Sequence, residues 1–415
     1  MELSKRICVV LSLVLLVSAV ALAADWPQFR GPERDGTSPE AGLMKQWPAG
    51  GPKELWSYDE LGEGYSSVSV ADGTIYTCGK EGDQGYLYAL DLDGNLKYRV
   101  HYGQAWNEKG NYPGTRTAPT VDGDRVYLMS GHARLSCHDA ATGKQLWYVD
   151  TLDKFNGRNI RWGIAESVLI DGRKVICTPG GRNATVVAMD KMTGETIWTS
   201  KGLSQRSAYC SPLLIERGGT RLILTLVEKA LAGIDADTGE VYWTVPHEVS
   251  YDIQAVSPVY HDGIVYITNG YRKGSHGFAL SADGKNIEKK WSERSLDVHH
   301  GGVVLIDGDI HGASTRGEWM CLDIATGKVE FTDRSDGSDR LVGKGSVIYV
   351  DDRLYVYGEK GGVGLVRIKP DGYELTGSFE IKKGSKEHWA HPAISDGRLY
   401  IRHGEVLMCY DIEAR

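Results

Sequence analysis

A pattern of about 45 to 50 residues recurs eight times between Tyr65 and Arg415. Each copy holds an alternating apolar run, an acidic-glycine turn, a second run, a third run ending in Asp, a glycine turn and an aromatic residue. The first turn stands at Asp72-Gly73, Asp122-Gly123, Asp171-Gly172, Arg217-Gly219, Asp262-Gly263, Asp307-Gly308, Asp351-Asp352 and Asp396-Gly397. Four short strands per unit at this spacing specify a β-propeller. The expected fold is all-β, an eight-bladed propeller of four-stranded antiparallel blades.

Within a copy, apolar residues alternate with period two and the turn residues fall between the runs. In the second copy the strands read as Ala118 to Val121, Arg125 to Met129, Arg134 to Asp139 and Gln145 to Val149. The last turn, Asp139 to Lys144 ahead of Leu146-Trp147, returns as Asp190 to Gly194 before Trp198, Asp235 to Gly239 before Trp243, and Asp323 to Gly327 before Phe331. Asp bonds backbone amides across such a turn and Gly supplies its positive φ. The aromatic that follows is placed to pack on the next blade.

One blade buries too little to offset the entropy of ordering itself, so the units must stack into a closed ring. The final copy ends at Cys409-Tyr410-Asp411-Ile412 without a fourth strand, while Lys53-Glu54-Leu55-Trp56-Ser57 matches the Lys-x-Leu-Trp of Lys144 to Trp147. The N-terminal strand is therefore expected to complete the last blade. The divergent fourth copy, with Glu216 to Thr220 in place of the usual turn, leaves seven blades as the alternative count.

Lys5-Arg6, an apolar run from Ile7 to Leu22, and Ala21-Leu22-Ala23 ahead of Ala24-Asp25 form the layout of a secretory signal. The expected organisation is a signal peptide at 1–23, an N-terminal extension at 24–51 packing on the propeller, and a single propeller domain at 52–415. Cleavage would leave an exported chain, periplasmic or extracellular, without an integral membrane segment and one unit more negative than the −8 of the whole sequence. An acidic surface repels phosphates and argues against nucleic acid as a partner. Cys78, Cys137, Cys177, Cys210, Cys321 and Cys409 form no CxxC pair, so zinc and redox motifs lack support. They read as buried thiols in strands, with one or two disulfides as the alternative.

Asp91 to Asn95 and Asp235 to Gly239 imitate the opening of a calcium loop but lack its later Glu. Their place in the repeat already explains them as turns. Chemistry is better sought where loops from strand four of one blade meet the innermost strand of the next, at the mouth of the channel. The residues there are Tyr65, Arg116, Arg161, Trp162, Glu166, Tyr209, Asp252 with Gln254, His299, His300, Lys344, His388, Trp389 and His391. Two joining loops are long and aromatic, His101 to Arg116 with Tyr102, Trp106 and Tyr112, and Thr151 to Trp162 with Phe155 and Arg158. They read equally as a recognition surface and as loops packed on themselves.

The Asp-x-x-Thr-Gly-x-x-x-Trp ending resembles the repeat of the pyrroloquinoline-quinone (PQQ)-like propellers over nearly the whole chain. Asp25-Trp26-Pro27-Gln28-Phe29-Arg30-Gly31-Pro32, His299-His300-Gly301-Gly302, Gly343-Lys344-Gly345-Ser346 and Trp389-Ala390-His391-Pro392 resemble exported BamB-like bacterial members of that family. The resemblance implies a fold more firmly than an activity, because relatives include dehydrogenases and non-enzymatic scaffolds. Quinoprotein alcohol dehydrogenases carry adjacent cysteines beneath the quinone and hold calcium with Glu, Asn and a nearby Asp. This chain has no Cys-Cys pair and offers only Glu166 for the metal. BamB itself is a lipoprotein, and no Cys stands at the expected cleavage point.

The expected function is an exported, non-catalytic binding or scaffold protein of the envelope, with no cofactor and an envelope protein or small ligand as partner. The alternative is a PQQ- and calcium-dependent dehydrogenase. In it Arg116 or Lys344 would pair with quinone carboxylates, Trp162 or Trp389 would stack on the quinone, and Glu166 would hold calcium. A third reading is a carbohydrate-binding propeller using Trp106, Tyr112 and Trp162.

Overall fold

The computed structural model describes residues 24–107, 112–333 and 344–415. The expected signal segment and Gly343 lie outside them. Eight antiparallel blades surround a central axis. Blade 1 consists of Ser69–Ala71, Thr74–Glu81, Gln84–Asp91 and Leu96–Gln104. Blades 2 to 7 occupy residues 120–150, 169–199, 213–246, 259–293, 304–333 and 346–380. Blade 8 takes three strands from the C-terminus, and Lys53–Tyr58 completes it by pairing antiparallel with Val406–Asp411. The fourth copy forms a full blade, with Gly218 and Gly219 at positive φ between Leu213–Arg217 and Thr220–Val227. The seven-bladed alternative therefore falls.

The repeat's second turn works through its Asp. Asp139 Oδ1 accepts from Thr142 N at 2.8 Å and Thr142 Oγ1 at 2.6 Å, and Asp235 Oδ1 accepts from Thr238 N at 2.7 Å. Gly143 and Gly239 follow at φ 73° and 77°, so the carboxylates of these loops are already committed to the turn. The aromatic then joins neighbouring blades. The indole Nε1 of Trp56, Trp147, Trp198, Trp243 and Trp291 each donates to a carbonyl in the next blade's turn, at 2.8 to 3.1 Å. Tyr98 donates likewise to Ala140 O at 2.9 Å. Phe331 and Phe379 have no donor and instead meet Tyr373 and Tyr410 edge-on or tilted, at 5.0 and 4.9 Å between ring centroids. A buried aromatic with a satisfied polar tip contributes both area and a bond, so six joints use ring and bond together and the two at Phe331 and Phe379 use ring contact alone.

The seam between blades 8 and 1 adds Arg402, fully buried, whose guanidinium donates to Thr77 Oγ1 at 3.0 Å and to the carbonyls of Cys78 and Ser66. The six cysteines are buried and free.

The N-terminal extension does more than pack on the propeller: it threads the central channel. Trp26 exchanges two backbone bonds with Val70 of blade 1, at 2.8 Å each, and Pro27 O accepts from Val121 N of blade 2 at 2.8 Å. Arg34 donates to Ser167 O and Val168 O beside blade 3 at 2.7 and 3.0 Å, and Arg30 to Val303 O beside blade 6. Thr37–Ser38 adds a parallel strand to the inner edge of blade 7. Glu40 accepts from Asp396 N and Gly397 N of blade 8. Short inner strands leave their inward backbone groups without partners, and this segment supplies partners at six of the eight blades. Gly31 at φ 85° and Gly36 at φ 84° let it turn in the narrow space; a Cβ on Gly31 would stand 2.9 Å from Thr37 O.

Candidate functional site

Because the extension fills the channel from one side, the opposite mouth is a blind cup of about 230 Å³ rather than a tunnel. Phe29 forms its floor, its ring 4.9 Å from that of His391. Every blade contributes to the wall where the chain enters its innermost strand: Tyr65 and Ser67, Arg116, Trp162 and Ala165, Tyr209 and Ser211, Ile253 and Ala255, His299 and His300, Lys344, and Trp389 with His391. Where the entering chain is extended, as at Tyr65 and Ser67, Tyr209 and Ser211, Ile253 and Ala255, and Trp389 and His391, every second side chain faces the axis.

The rings form a collar. Successive contacts run from Tyr65 to Trp389 (5.3 Å), His300 (5.3 Å), His299 (5.2 Å), Tyr271 (4.9 Å), Tyr251 (5.8 Å), Trp162 (6.2 Å) and Tyr209 (6.2 Å). Tyr112 fills the angle between Tyr65 and Trp389, at 6.4 and 4.6 Å. Arg116 closes the circle by donating to Tyr112 O at 2.6 Å and to Trp162 O. Tyr112, Tyr251 and Tyr271 hold φ of 32°, 63° and 58° and are the exposed tyrosines of the rim. Left-handed backbone at a bulky residue costs about 1 to 2 kcal/mol, and such strain gathers at binding sites.

The charge of the cup is one-sided. None of its lining residues is Asp or Glu. Arg116 is held by carbonyls, and among the described residues no carboxylate pairs with it; burial draws its pKa down to about 10, which leaves it charged at neutral pH. Lys344 lies 3.3 Å from Glu359, which also accepts from Trp389 Nε1 at 3.0 Å, and Glu387 accepts from Tyr65 OH at 2.6 Å. These two acids stand behind the wall and fix its rings. Burial pulls His299 down to about 4, His391 to about 3 and His300 well below the usual imidazole value, so all three are neutral at pH 7. His299 Nδ1 and His300 Nε2 are buried without a partner.

Nine candidates from the sequence thus share one cavity: Tyr65, Arg116, Trp162, Tyr209, His299, His300, Lys344, Trp389 and His391. Four do not line it. Arg161 lies on the rim over the rings of Trp162 and Tyr251, at 4.9 and 5.6 Å. Asp252 pairs with Arg206 at 3.2 Å. His388 turns behind the wall, stacked on His403 at 3.6 Å and bonded to Tyr357 at 2.6 Å. Glu166 is fully buried, bonded to Thr178 N, because Ala165 takes the axial position and alternation sends its neighbour between blades. Gln254, flanked by the lining Ile253 and Ala255, is sent away by the same rule and donates to Val227 O. In the long loops Tyr102 and Trp106 are buried, so these two pack inside the first loop, while Tyr112, Arg116 and Trp162 reach the mouth. Phe29, Tyr251 and Tyr271 were not singled out from the sequence. Tyr271 arrives on the hairpin between Ile264–Asn269 and Gly274–Leu280, whose aromatic tip was the available signal.

Comparison with known proteins places these features in context. A family model described as outer membrane protein assembly factor BamB matches residues 103–333. Quinoprotein ethanol dehydrogenase of Pseudomonas aeruginosa is 28% identical over 145 residues, covering 32% of this chain and 23% of that enzyme. Outer membrane protein assembly factor BamB of Yersinia pestis is 24% identical over 270 residues, covering 60% of this chain and 64% of that protein. The chain therefore spans less than two thirds of the length of either relative. Among solved structures, BamB from Moraxella catarrhalis is similar with a TM-score of 0.61 and 16% identity over 88% of this chain and 98% of that one. This last likeness is one of fold.

Proposed function

Since the chain belongs to the PQQ-like repeat family of the outer membrane protein assembly factor BamB, we propose that it is an exported, non-catalytic binding protein of the cell envelope that holds its ligand in the mouth cup. The observation that carries this reading is the wall itself: ten aromatic or imidazole rings and Arg116 line one blind cavity. Concave sites with many rings and few polar groups are the usual form of ligand pockets. The basic and apolar start of the sequence supports export, and no helix of the described residues is long and apolar enough to cross a membrane.

The dehydrogenase reading fits the cup less well. Calcium takes six to eight oxygen ligands, chiefly carboxylates and carbonyls, whereas no carboxylate lines the cavity and Glu166 is turned between blades. Among the described residues no cluster of three acidic, His or Cys side chains is placed to hold a metal. The third reading loses Trp106, which is buried, and keeps Tyr112 and Trp162.

Calorimetric titration with PQQ, with and without calcium, alongside a dye-linked assay of alcohol oxidation, tests the proposal. Absence of calcium-dependent binding and of turnover is expected. Saturable calcium-dependent binding with dye reduction would replace the binding protein with an enzyme.

A further inference from the structure

The chain as a whole is acidic, at −8, yet the wall of its cup presents Arg116 and Lys344 and no Asp or Glu. Lys344 is partly answered by Glu359. Among the described residues no carboxylate answers Arg116: its bonds are both to carbonyls, and three of its five N–H donors are uncommitted there. A half-buried guanidinium with spare donors, in a protein that is otherwise negative, suits an anion.

The rings around it do not suit a flat ligand. Neighbouring wall rings are inclined by 37° at Tyr65–Trp389, 58° at His300–Trp389 and 47° at Trp162–Tyr209. Parallel rings facing one another would favour a fused planar system, and among the described residues the stacked ring pair, His388 with His403, is behind the wall. Inclined faces instead suit a puckered ring whose C–H bonds point outward in several directions, each meeting the negative face of an aromatic. The volume of about 230 Å³ is below the roughly 300 to 1,000 Å³ of sites for drug-sized ligands, and so matches one ring of a larger molecule.

The remaining polar groups read hydroxyls. A neutral imidazole offers one donor and one acceptor, and His299 and His300 line the cup, although His299 Nδ1 and His300 Nε2 are themselves shut off from solvent. Ser67 and Ser211 lie in the same wall. A ligand with several hydroxyls can pair with the imidazole and hydroxyl groups that face the cavity, which a purely apolar one cannot do.

Resting on the ligand-binding reading above, we infer that the mouth cup takes a six-membered sugar ring bearing one acidic group, with Arg116 on the acid, the collar on the C–H faces and His299 and His300 on the hydroxyls. Carboxylate and sulfate both satisfy Arg116, and the test separates them.

The purified protein is titrated calorimetrically with glucuronate, glucose 6-sulfate, glucose and benzoate. One or both acidic sugars should bind at least about tenfold more tightly than glucose, as a charge-assisted contact provides, and the stronger of the two identifies the acid. Benzoate should neither bind comparably nor compete. In Arg116→Gln the acidic sugar should lose its advantage, its affinity falling to that of glucose measured on the same variant. Should this variant unfold, Lys344→Gln with the salt dependence of the wild-type preference provides the second reading, because screening weakens an ionic contact. Equal binding of glucose and glucuronate, or no binding of any sugar, would overturn the inference. Tight binding of benzoate would overturn it too while leaving a ligand-binding cup standing, whereas PQQ-dependent turnover would remove the underlying reading itself.

Discussion

The ring of Phe29 stands 4.9 Å from the imidazole of His391, inclined at 60°. One residue belongs to the first described segment of the chain and the other enters the last blade, so the floor of the cup forms only when the extension is seated in the channel. Between the channel segment and Lys53–Tyr58, which completes blade 8, the chain runs along blade 7, where Trp47 N donates to Thr376 O at 3.2 Å, so one continuous segment supplies both the floor of the cup and the last strand.

Two substitutions separate the structural from the binding role of that segment. Trp26 is 2% exposed and packs in the largest apolar cluster, so Trp26→Ala should lower stability by about 3 to 5 kcal/mol, measured by chemical denaturation. Phe29 is half-buried at the cup floor, and Phe29→Ala should keep most of the stability and weaken ligand binding. Equal destabilisation by both would deny Phe29 its separate role.

The aromatic joints give a second prediction. Trp198→Phe removes the bond to Ala236 O, itself about 1 kcal/mol, with part of the indole's volume, whereas Trp198→Ala empties the buried site and should cost about 3 to 5 kcal/mol. Denaturant midpoints of the two variants should therefore differ clearly. Similar losses would mean that the hydrogen bond, not packing, is what the indole contributes.

Glu166 makes stability depend on pH between mildly acid and neutral conditions. Burial pushes its carboxyl up to about 7, with the Thr178 amide and Arg34 opposing. Across the window from its ordinary 4.5 to about 7 the folded chain holds a proton that the unfolded chain has released, so stability from this group falls as pH rises. Glu166→Gln should raise the melting temperature at pH 8 and change it little at pH 4.5. The opposite ordering would contradict the burial argument.

Histidines act at the other end. Burial lowers His247 and His299 to about 4, and His276 and His391 to about 3. Unfolded, each takes a proton near its ordinary 6.5, so stability is complete above that value and declines as pH falls from 6.5 toward 4. Thermal melts over this range should show the decline, and His276→Gln, away from the cup, should make it shallower. An unchanged slope in that variant would show that His276 takes no part.

The architecture was legible because the repeat writes the same physics eight times. Asp139 and Gly143 mark a turn that Asp235 and Gly239 repeat, and the Trp that follows reports the joint to the next blade. The mouth was legible to the extent that one residue before each inner strand faces the axis, which brought Tyr65, Arg116, Trp162, Tyr209 and Lys344 together. Where alternation had to be known to a single residue, the reading slipped: Glu166 and Gln254 belong between blades, while Ala165, Ile253 and Ala255 face the cup. The channel-filling segment was illegible for a different reason. Residues 24–40 carry no repeat, and their backbone partners lie tens to hundreds of residues away, from Val70 to Gly397. Nothing local to Trp26 or Phe29 announces such partners.

A crystal structure of the protein grown with the tighter-binding acidic sugar tests the central claim most directly. The account predicts the sugar ring in the mouth cup above Phe29, with its acid on Arg116 and its faces against Trp389 and Trp162. A sugar bound on the outer blades, or seated in the cup with its acid turned away from Arg116, would contradict it.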